Sequence, residues 1–411
     1  MKEKYEMLIR SSRIYTEDGL LDGWMRIEDG KIIQLGKGEK EGAIDFGDLR
    51  VIPGIFDTHI HGTQGYTLWD EGESGDIEAQ LDGFLKGVAS EGVTLVLPTL
   101  FSATGDGEGA LDVLRRTANR VGKPQNGANV AGVHFEGPYL NRVGEKGIRP
   151  KTPTINLDFA RQAIEAGGGH LRLMGLAPEL PQAKELINLL TENGVIAAFT
   201  HSDCNSTQAF AAFENGITVA THLCNVMTGI HHRDVGGLGA ALLDGRVSAE
   251  LICDGLHVSN PMIEIVMRAK PHEKIMLISD CTGYSGAPTG TYRGFLGHSG
   301  EVIVDDLGFV REPGGRLRGS SKPVLYGIWN LVENIGIGIE DALKMAALVP
   351  ARKYGFGDKK GSLKIGKDAD FVVVSDDYKA LETYVERRKV FDRAAEGDKI
   401  FNQQMLKHLL R

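Results

Sequence analysis

The chain has 411 residues, room for a barrel of about 250 residues and a smaller appended module. With 42% hydrophobic and 25% charged residues it has the makeup of a globular protein, not of a disordered or collagen-like one. A formal charge of -9 argues against a nucleic-acid partner, and no run of about 18 apolar residues is there to span a bilayer.

Met1 to Met7 lead straight into a strand-like segment, with neither the apolar stretch nor the small-residue cleavage site of a signal peptide. The four cysteines, Cys204, Cys224, Cys253 and Cys281, form no Cys-x-x-Cys pair and no disulfide framework. A reducing compartment, the cytoplasm, is the expected location.

Residues 6–47 carry short apolar runs with turn signals, among them Ile27-Glu-Asp-Gly30, which suits a hairpin. From about residue 49 the pattern changes to short aliphatic runs alternating with helical stretches, the signature of βα units. The runs are Leu49–His61, Gly92–Leu100, Asn129–Gly137, Leu171–Glu179, Val195–Ser202, Thr218–Asn225, Ser248–Gly255 and Lys274–Cys281. Most are continuous, as strands covered on both faces require, and eight is the number that closes a (β/α)8 TIM-type barrel. Helices are expected at Asp76–Glu91, Asp158–Ala166, Pro181–Asn193 and Ser206–Asn215, the last stopped by Asn215-Gly216, with closing helices at Ser320–Ile335 and Ile339–Leu348. Residues 361–391 return to short β segments. Neither end is large enough to bury a sheet face alone, so both are expected to pair into a small β-sandwich-like satellite domain of residues 1–50 and 352–411 on a barrel of 51–351.

Metal-type side chains fall on five of the expected strand ends. The first carries His59 and His61, which alternation projects to one side; the third Glu136; the fifth His201; the sixth His222; the eighth Asp280. The C-terminal strand ends of such a barrel converge on one mouth, so these distant residues become neighbours. Four imidazoles and two carboxylates suit a divalent ion, Zn²⁺ first, with Fe²⁺ or Mn²⁺ also matched, and Glu136 is best placed to bridge two ions about 3.5–4 Å apart. Taken singly, each is as readily a satisfied core or surface residue; the joint placement favours ligation. His134 is read as supporting the ligands rather than joining them, and Cys224 and Cys281 as small buried strand residues.

The chain resembles the amidohydrolase superfamily and, within it, the N-acetylglucosamine-6-phosphate deacetylases. The resemblance rests on Pro53-Gly-Ile-Phe-Asp-Thr-His-Ile-His-Gly62, His134-Phe-Glu-Gly-Pro-Tyr139, Thr221-His-Leu-Cys-Asn-Val-Met227, His231-His-Arg-Asp234, Asp254-Gly-Leu-His257, Ser279-Asp280, Gly319-Ser-Ser321 and Gly366-Lys-Asp-Ala-Asp370. It implies a metal set of His59, His61, Glu136, His201 and His222, with Asp280 as the catalytic residue at the ions. With His59 and His61 both present, it implies two ions, one of them easily lost. The fourth run ends Leu176-Ala-Pro-Glu179 without a lysine, which disfavours dihydroorotase-like or hydantoinase-like readings.

The expected reaction is hydrolysis of the acetamide of N-acetylglucosamine 6-phosphate, with Asp280 as general base to a metal-activated water. The epimeric N-acetylgalactosamine 6-phosphate ranks second, because Val226 to Arg233 also resembles deacetylases for that sugar. By residue type alone Arg233 reads equally as a phosphate ligand or a solvated loop residue; the resemblance favours phosphate, with His232 beside it, and implies a homodimer in which the arginine serves the neighbouring site. His257 is expected to hydrogen-bond the sugar, with Asn225 and Val226 assisting. Two departures weaken sugar recognition more than chemistry: Ile148 replaces a usual histidine, and His232-Arg-Asp-Val235 replaces His-Arg-Glu-Pro. Gly283–Gly300 reads either as a lid or as ordinary hairpin connections. Deamination or cyclic-amide hydrolysis, and a sugar-phosphate sensor without catalysis, are the rival readings. A sensor has no need of Asp280 together with the whole ligand set.

Overall fold

A computed structural model describes residues 6–68, 76–101, 108–142, 154–293 and 300–398. The central element is a parallel barrel of β1 (Ile55–Ile60), β2 (Val93–Phe101), β3 (Val133–Tyr139), β4 (Leu171–Leu176), β5 (Ile196–Phe199), β6 (Val219–Ala220), β7 (Ser248–Ile252) and β8 (Ile275–Ile278), numbered here without the strands outside the barrel. Each pairs with the next in sequence from β1 to β8. Backbone hydrogen bonds from Asp280 N to His59 O (2.9 Å) and from His61 N to Cys281 O (2.8 Å) bring the last strand's exit against the first. All eight expected strands are present.

The lumen is packed, and its polarity rises toward the mouth. Phe56, Leu95, Leu97, Leu173, Ala198, Val219 and Met276 come from six strands into one buried cluster, closed from below by Val349, Ala351 and Tyr354. Two residues further along their strands, on the same face by alternation, stand Thr58, Thr99 and Thr200. The functional side chains follow above them. An apolar floor thus gives way to hydroxyls and then to imidazoles and carboxylates; Asp280 keeps the step of two from Met276, whereas His59 and His201 follow Thr58 and Thr200 by one residue, where β1 has a register irregularity and His201 takes a positive φ.

Helices cover the outside. Ile77–Ser90 begins at Asp76, whose side chain accepts from Glu78 N, and Ser206–Glu214 begins with a capping box of Asn205 and Gln208. Leu157–Ala166 and Ala183–Glu192 occupy the other expected positions. The closing helices change character midway: Val324–Trp329 continues as π-helix over Asn330–Ile335, and Ile339–Leu343 over Lys344–Leu348.

Strands from both parts of the sequence lie in one sheet beside the barrel. Its order is Arg388–Asp392, Ala380–Val385, Phe371–Val374, Arg50–Pro53, Glu6–Thr16, Gly19–Glu28 and Lys31–Lys37, with Ile44–Asp45 paired to Glu6–Thr16. The expected hairpin is there, and Asp29 and Gly30 both take positive φ (49° and 79°), as a tight two-residue turn demands.

The first predicted strand is corrected. Leu49–His61 reads as one run, but it divides at Gly54: Arg50–Pro53 pairs with Phe371–Val374, while Ile55–Ile60 enters the barrel. Gly54 N donates to Asp370 O at 3.0 Å, and a Cβ at Gly54 would stand 2.1 Å from Thr94 Oγ1. Only glycine fits where the chain passes between the two sheets. The stretch read as a lid or hairpins, Gly283–Gly300, contains Gly290–Arg293, which pairs antiparallel with Glu301–Val304 beyond it, and that strand in turn with Val310–Arg311; residues 294–299 lie outside the described residues, as does Ile148.

Candidate metal centre

The six predicted metal-type residues meet at the barrel mouth. His59 lies in β1 and His61 just past it, and Glu136 lies in β3. His201, His222 and Asp280 each stand two residues beyond their strands, and all three adopt the left-handed backbone region, with φ of 45°, 30° and 50°. Non-glycine residues pay a steric cost there, and such conformations gather where side chains must be aimed. The same local turn, used three times, swings three donors over one opening.

The donor atoms divide into two groups that share Glu136. His59 Nε2 is 3.3 Å from His61 Nε2, 3.4 Å from Glu136 Oε2 and 3.7 Å from Asp280 Oδ1; His61 Nε2 is 3.1 Å from Glu136 Oε2 and 3.3 Å from Asp280 Oδ1. On the other side, Glu136 Oε1 is 3.0 Å from His201 Nε2 and 2.7 Å from His222 Nε2. Ligands held tetrahedrally at the usual metal–nitrogen and metal–oxygen lengths stand roughly 3.3 Å apart. The first group already has about that spacing, and the second, at 3.0 and 2.7 Å, opens to it with a shift of a few tenths of an ångström.

The far nitrogens of three imidazoles are tied down, which leaves Nε2 to face the centre. His61 Nδ1 is 3.2 Å from Thr99 O and His201 Nδ1 is 2.7 Å from Arg142 O, while His59 Nδ1 is 3.1 Å from Glu250 Oε2. His222 Nδ1 is buried without a hydrogen-bond partner among the described residues. Burial works against charge on His59 and His61, yet the carboxylates around them hold both pKa values above the ordinary imidazole range. Burial would raise the Glu136 carboxyl, but His59, His201 and His222 outweigh it and hold it well below the usual range. So concentrated a set of opposed charges, with Glu136 and His59 both buried, suits cation binding.

The remaining predicted residues differ in placement. His257 is part-buried near the mouth, its side chain 7% exposed: its Nδ1 is 2.8 Å from Asp254 Oδ2, which also accepts from Ser320 Oγ at 2.9 Å, and its Nε2 has no partner among the described residues. Asn225 and Val226 form the tight turn after His222, with Asn225 N on His222 O at 2.9 Å and Val226 at a φ of 53°. His232 and Arg233 stand apart from this cluster, exposed on the following loop, where the His231 and His232 rings lie 4.1 Å apart.

Glu250, Asp254 and Asp57 were not singled out from the sequence. Asp57 accepts from Ser279 Oγ at 2.5 Å, pinning β1 to the exit of β8. A lone glutamate inside the fully buried strand Ser248-Ala-Glu-Leu-Ile252 was the available signal for Glu250. His134 has its Nδ1 3.1 Å from Thr58 O and its ring 4.5 Å from that of His59, beneath the donors. The Cys281 thiol lies 3.3 Å from Lys322 O, and burial pushes its pKa well up.

A barrel with this lumen, mouth and satellite sheet is that of an amidohydrolase, and the Amidohydrolase family model matches residues 298–395. Over 375 residues the chain is 35% identical to the N-acetylgalactosamine-6-phosphate deacetylase of Escherichia coli O157:H7, covering 89% of this chain and 94% of that one. It is 32% identical to the N-acetylglucosamine-6-phosphate deacetylase of Vibrio furnissii over 359 residues, 86% of each. Among solved structures, a mutant N-acetyl-D-glucosamine-6-phosphate deacetylase from Mycobacterium smegmatis in complex with N-acetyl-D-glucosamine-6-phosphate superposes with a TM-score of 0.82 at 27% identity, covering 94% of this chain and 99% of that one. The chain belongs to the N-acetylglucosamine-6-phosphate deacetylase family. Among the described residues no helix is long and apolar enough to cross a membrane.

Proposed function

We propose that the protein hydrolyses the acetamide of N-acetylglucosamine 6-phosphate to acetate and glucosamine 6-phosphate at a centre of two divalent ions. The observation that carries this reading is the division of Glu136, with Oε2 toward His59 and His61 and Oε1 toward His201 and His222. His59, His61 and Asp280 would hold one ion, His201 and His222 the other, and Glu136 both; neutral imidazoles with carboxylates suit Zn²⁺, Fe²⁺ or Mn²⁺. When bound, such ions supply Lewis acidity, activating water and polarising an amide carbonyl.

The protein's own groups carry the proton and the substrate. Asp280 takes a proton as water adds to the acetyl carbon and returns it to the nitrogen as the C–N bond breaks, so the amine leaves uncharged. Burial would push the Asp280 carboxyl up, but His61, His59 and His222 outweigh it and hold its pKa at about 2, keeping an acceptor at the mouth. His257, oriented by Asp254, presents Nε2 to the substrate, and the Asn225–Val226 turn adds backbone contacts. His232 and Arg233 bind the 6-phosphate, Arg233 through a planar fork suited to phosphate oxygens. Their exposed loop supports a homodimer in which they reach the neighbouring mouth, as do the exposed apolar residues Ile230, on that loop, and Leu243, at the end of the helix that follows it, 53% and 68% exposed. The absence of a disulfide among the described residues supports a cytoplasmic setting. The proposed division is residues 1–50 with 352–411 as the satellite domain and 51–351 as the catalytic barrel, supported by the sheet-to-barrel passage at Gly54 close to that boundary, with residues 1–5 and 399–411 outside the described residues.

The epimeric N-acetylgalactosamine 6-phosphate is the second reading, favoured by the 35% identity to the Escherichia coli O157:H7 relative. Acetate release from both 6-phosphates by protein stripped and reloaded with Zn²⁺, Fe²⁺ or Mn²⁺ decides between them. A larger kcat/KM on the gluco sugar is expected. A larger value on the galacto sugar selects the second reading, and no release from either overturns both.

A further inference from the structure

Glu250 lies in the middle of β7, while His59 lies on β1, two strands away around the barrel. Their contact crosses the lumen beneath the metal-type donors. His59 Nδ1 stands 3.1 Å from Glu250 Oε2, and Thr58 Oγ1 donates to Glu250 Oε1 at 2.7 Å. Both side chains of the His59–Glu250 pair are 0% exposed. Each Glu250 oxygen is therefore satisfied by adjacent residues of β1, and the carboxylate is fixed at both ends.

An imidazole can carry its neutral-state proton on either nitrogen, and only the bare nitrogen can ligate. With Glu250 accepting from Nδ1, the lone pair of His59 is placed on Nε2, which points to His61, Glu136 and Asp280. The carboxylate also makes the imidazole a better donor. No equivalent charge supports the other group: His201 Nδ1 meets a backbone carbonyl, and His222 Nδ1 has no partner among the described residues.

We propose that Glu250 is a positioning residue for His59 that selectively sustains the first ion position, so that losing it converts a two-ion enzyme into one that keeps only the ion at Glu136, His201 and His222. This rests on the two-ion reading above. Loss of an outer partner of a ligating histidine weakens metal affinity by about 10- to 100-fold, and here the effect falls on one position of two.

The test is metal-binding stoichiometry and affinity in the full chain, by chelator competition with Co²⁺ and elemental analysis. The proteins compared are the parent, Glu250→Gln, Glu250→Leu and His59→Gln. Glutamine keeps the shape and a hydrogen bond but removes the charge, whereas leucine removes both. The parent is expected to bind two ions per chain, and His59→Gln one. Glu250→Leu should weaken the first by about 10- to 100-fold and Glu250→Gln by less, with the second unchanged in both. Thermal melts of the metal-free proteins register any general loss of packing, and should the leucine variant not fold, the glutamine variant alone carries the comparison. Two ions bound at parental affinity in the folded Glu250 variants overturn this inference while leaving the two-ion reading standing. A parent that binds one ion, or a His59→Gln protein that still binds two, overturns both.

Discussion

Asp280 shares the mouth with the imidazoles yet differs from them in the work proposed for it. It is the carboxylate 3.3 Å from His61 Nε2, beside rather than within the Glu136 bridge. Changing Asp280→Asn removes the proton acceptor and leaves an oxygen donor and four histidines in place. Activity is expected to fall by about 10²–10⁴-fold with metal content retained, which elemental analysis alongside steady-state kinetics checks. Turnover near the parental rate would remove Asp280 from proton transfer. Residues such as His201, His222 and Asp280 were legible in the sequence because each follows a continuous apolar run at a short, repeated offset. Glu250 was not, because its partner, His59 on β1, becomes a neighbour only on folding; Asp254 stood in the Asp254-Gly-Leu-His257 stretch, three residues before the imidazole it orients, but its contact with Ser320 also forms only on folding. Arg233 remained ambiguous because a guanidinium on an exposed loop looks the same whether it meets solvent or a second subunit.

At the scale of elements, the passage from satellite sheet to barrel depends on a single position. A methyl group at Gly54 would press on Thr94 Oγ1, Cγ2 and Cβ, which a rotation of the threonine alone does not relieve. Gly54→Ala is expected to cost about 1–3 kcal/mol, read as a lower midpoint in denaturant unfolding of the metal-free protein, with metal binding restored once the protein is folded. A midpoint unchanged within error would contradict this placement of the strand break. The eight barrel strands were legible because burial on both faces leaves continuous apolar runs, and the satellite strands because Asp29-Gly30 and similar turns punctuate them. The break at Gly54 was hidden inside one apolar run, since strand residues of both sheets have the same composition. The π segments at Asn330–Ile335 and Lys344–Leu348 had no sequence signal either, because their hydrogen-bond register is decided by packing on the barrel.

At the scale of the whole molecule, a barrel that aims donors from distant parts of the sequence carries an exposed loop, with His232 and Arg233, that is proposed to serve a second copy. Light scattering is expected to give twice the mass of the chain; a fully active monomer would place Arg233 outside the phosphate site. Everything proposed for the mouth requires that ions sit where the donor atoms converge. The measurement that tests it most directly is an anomalous-difference map from crystals of reconstituted protein, collected at the absorption edge of the bound metal. Two peaks are expected at the barrel mouth, one among His59, His61 and Asp280 and one between His201 and His222, with Glu136 reaching both. Peaks elsewhere, or none in a fully active preparation, would contradict it.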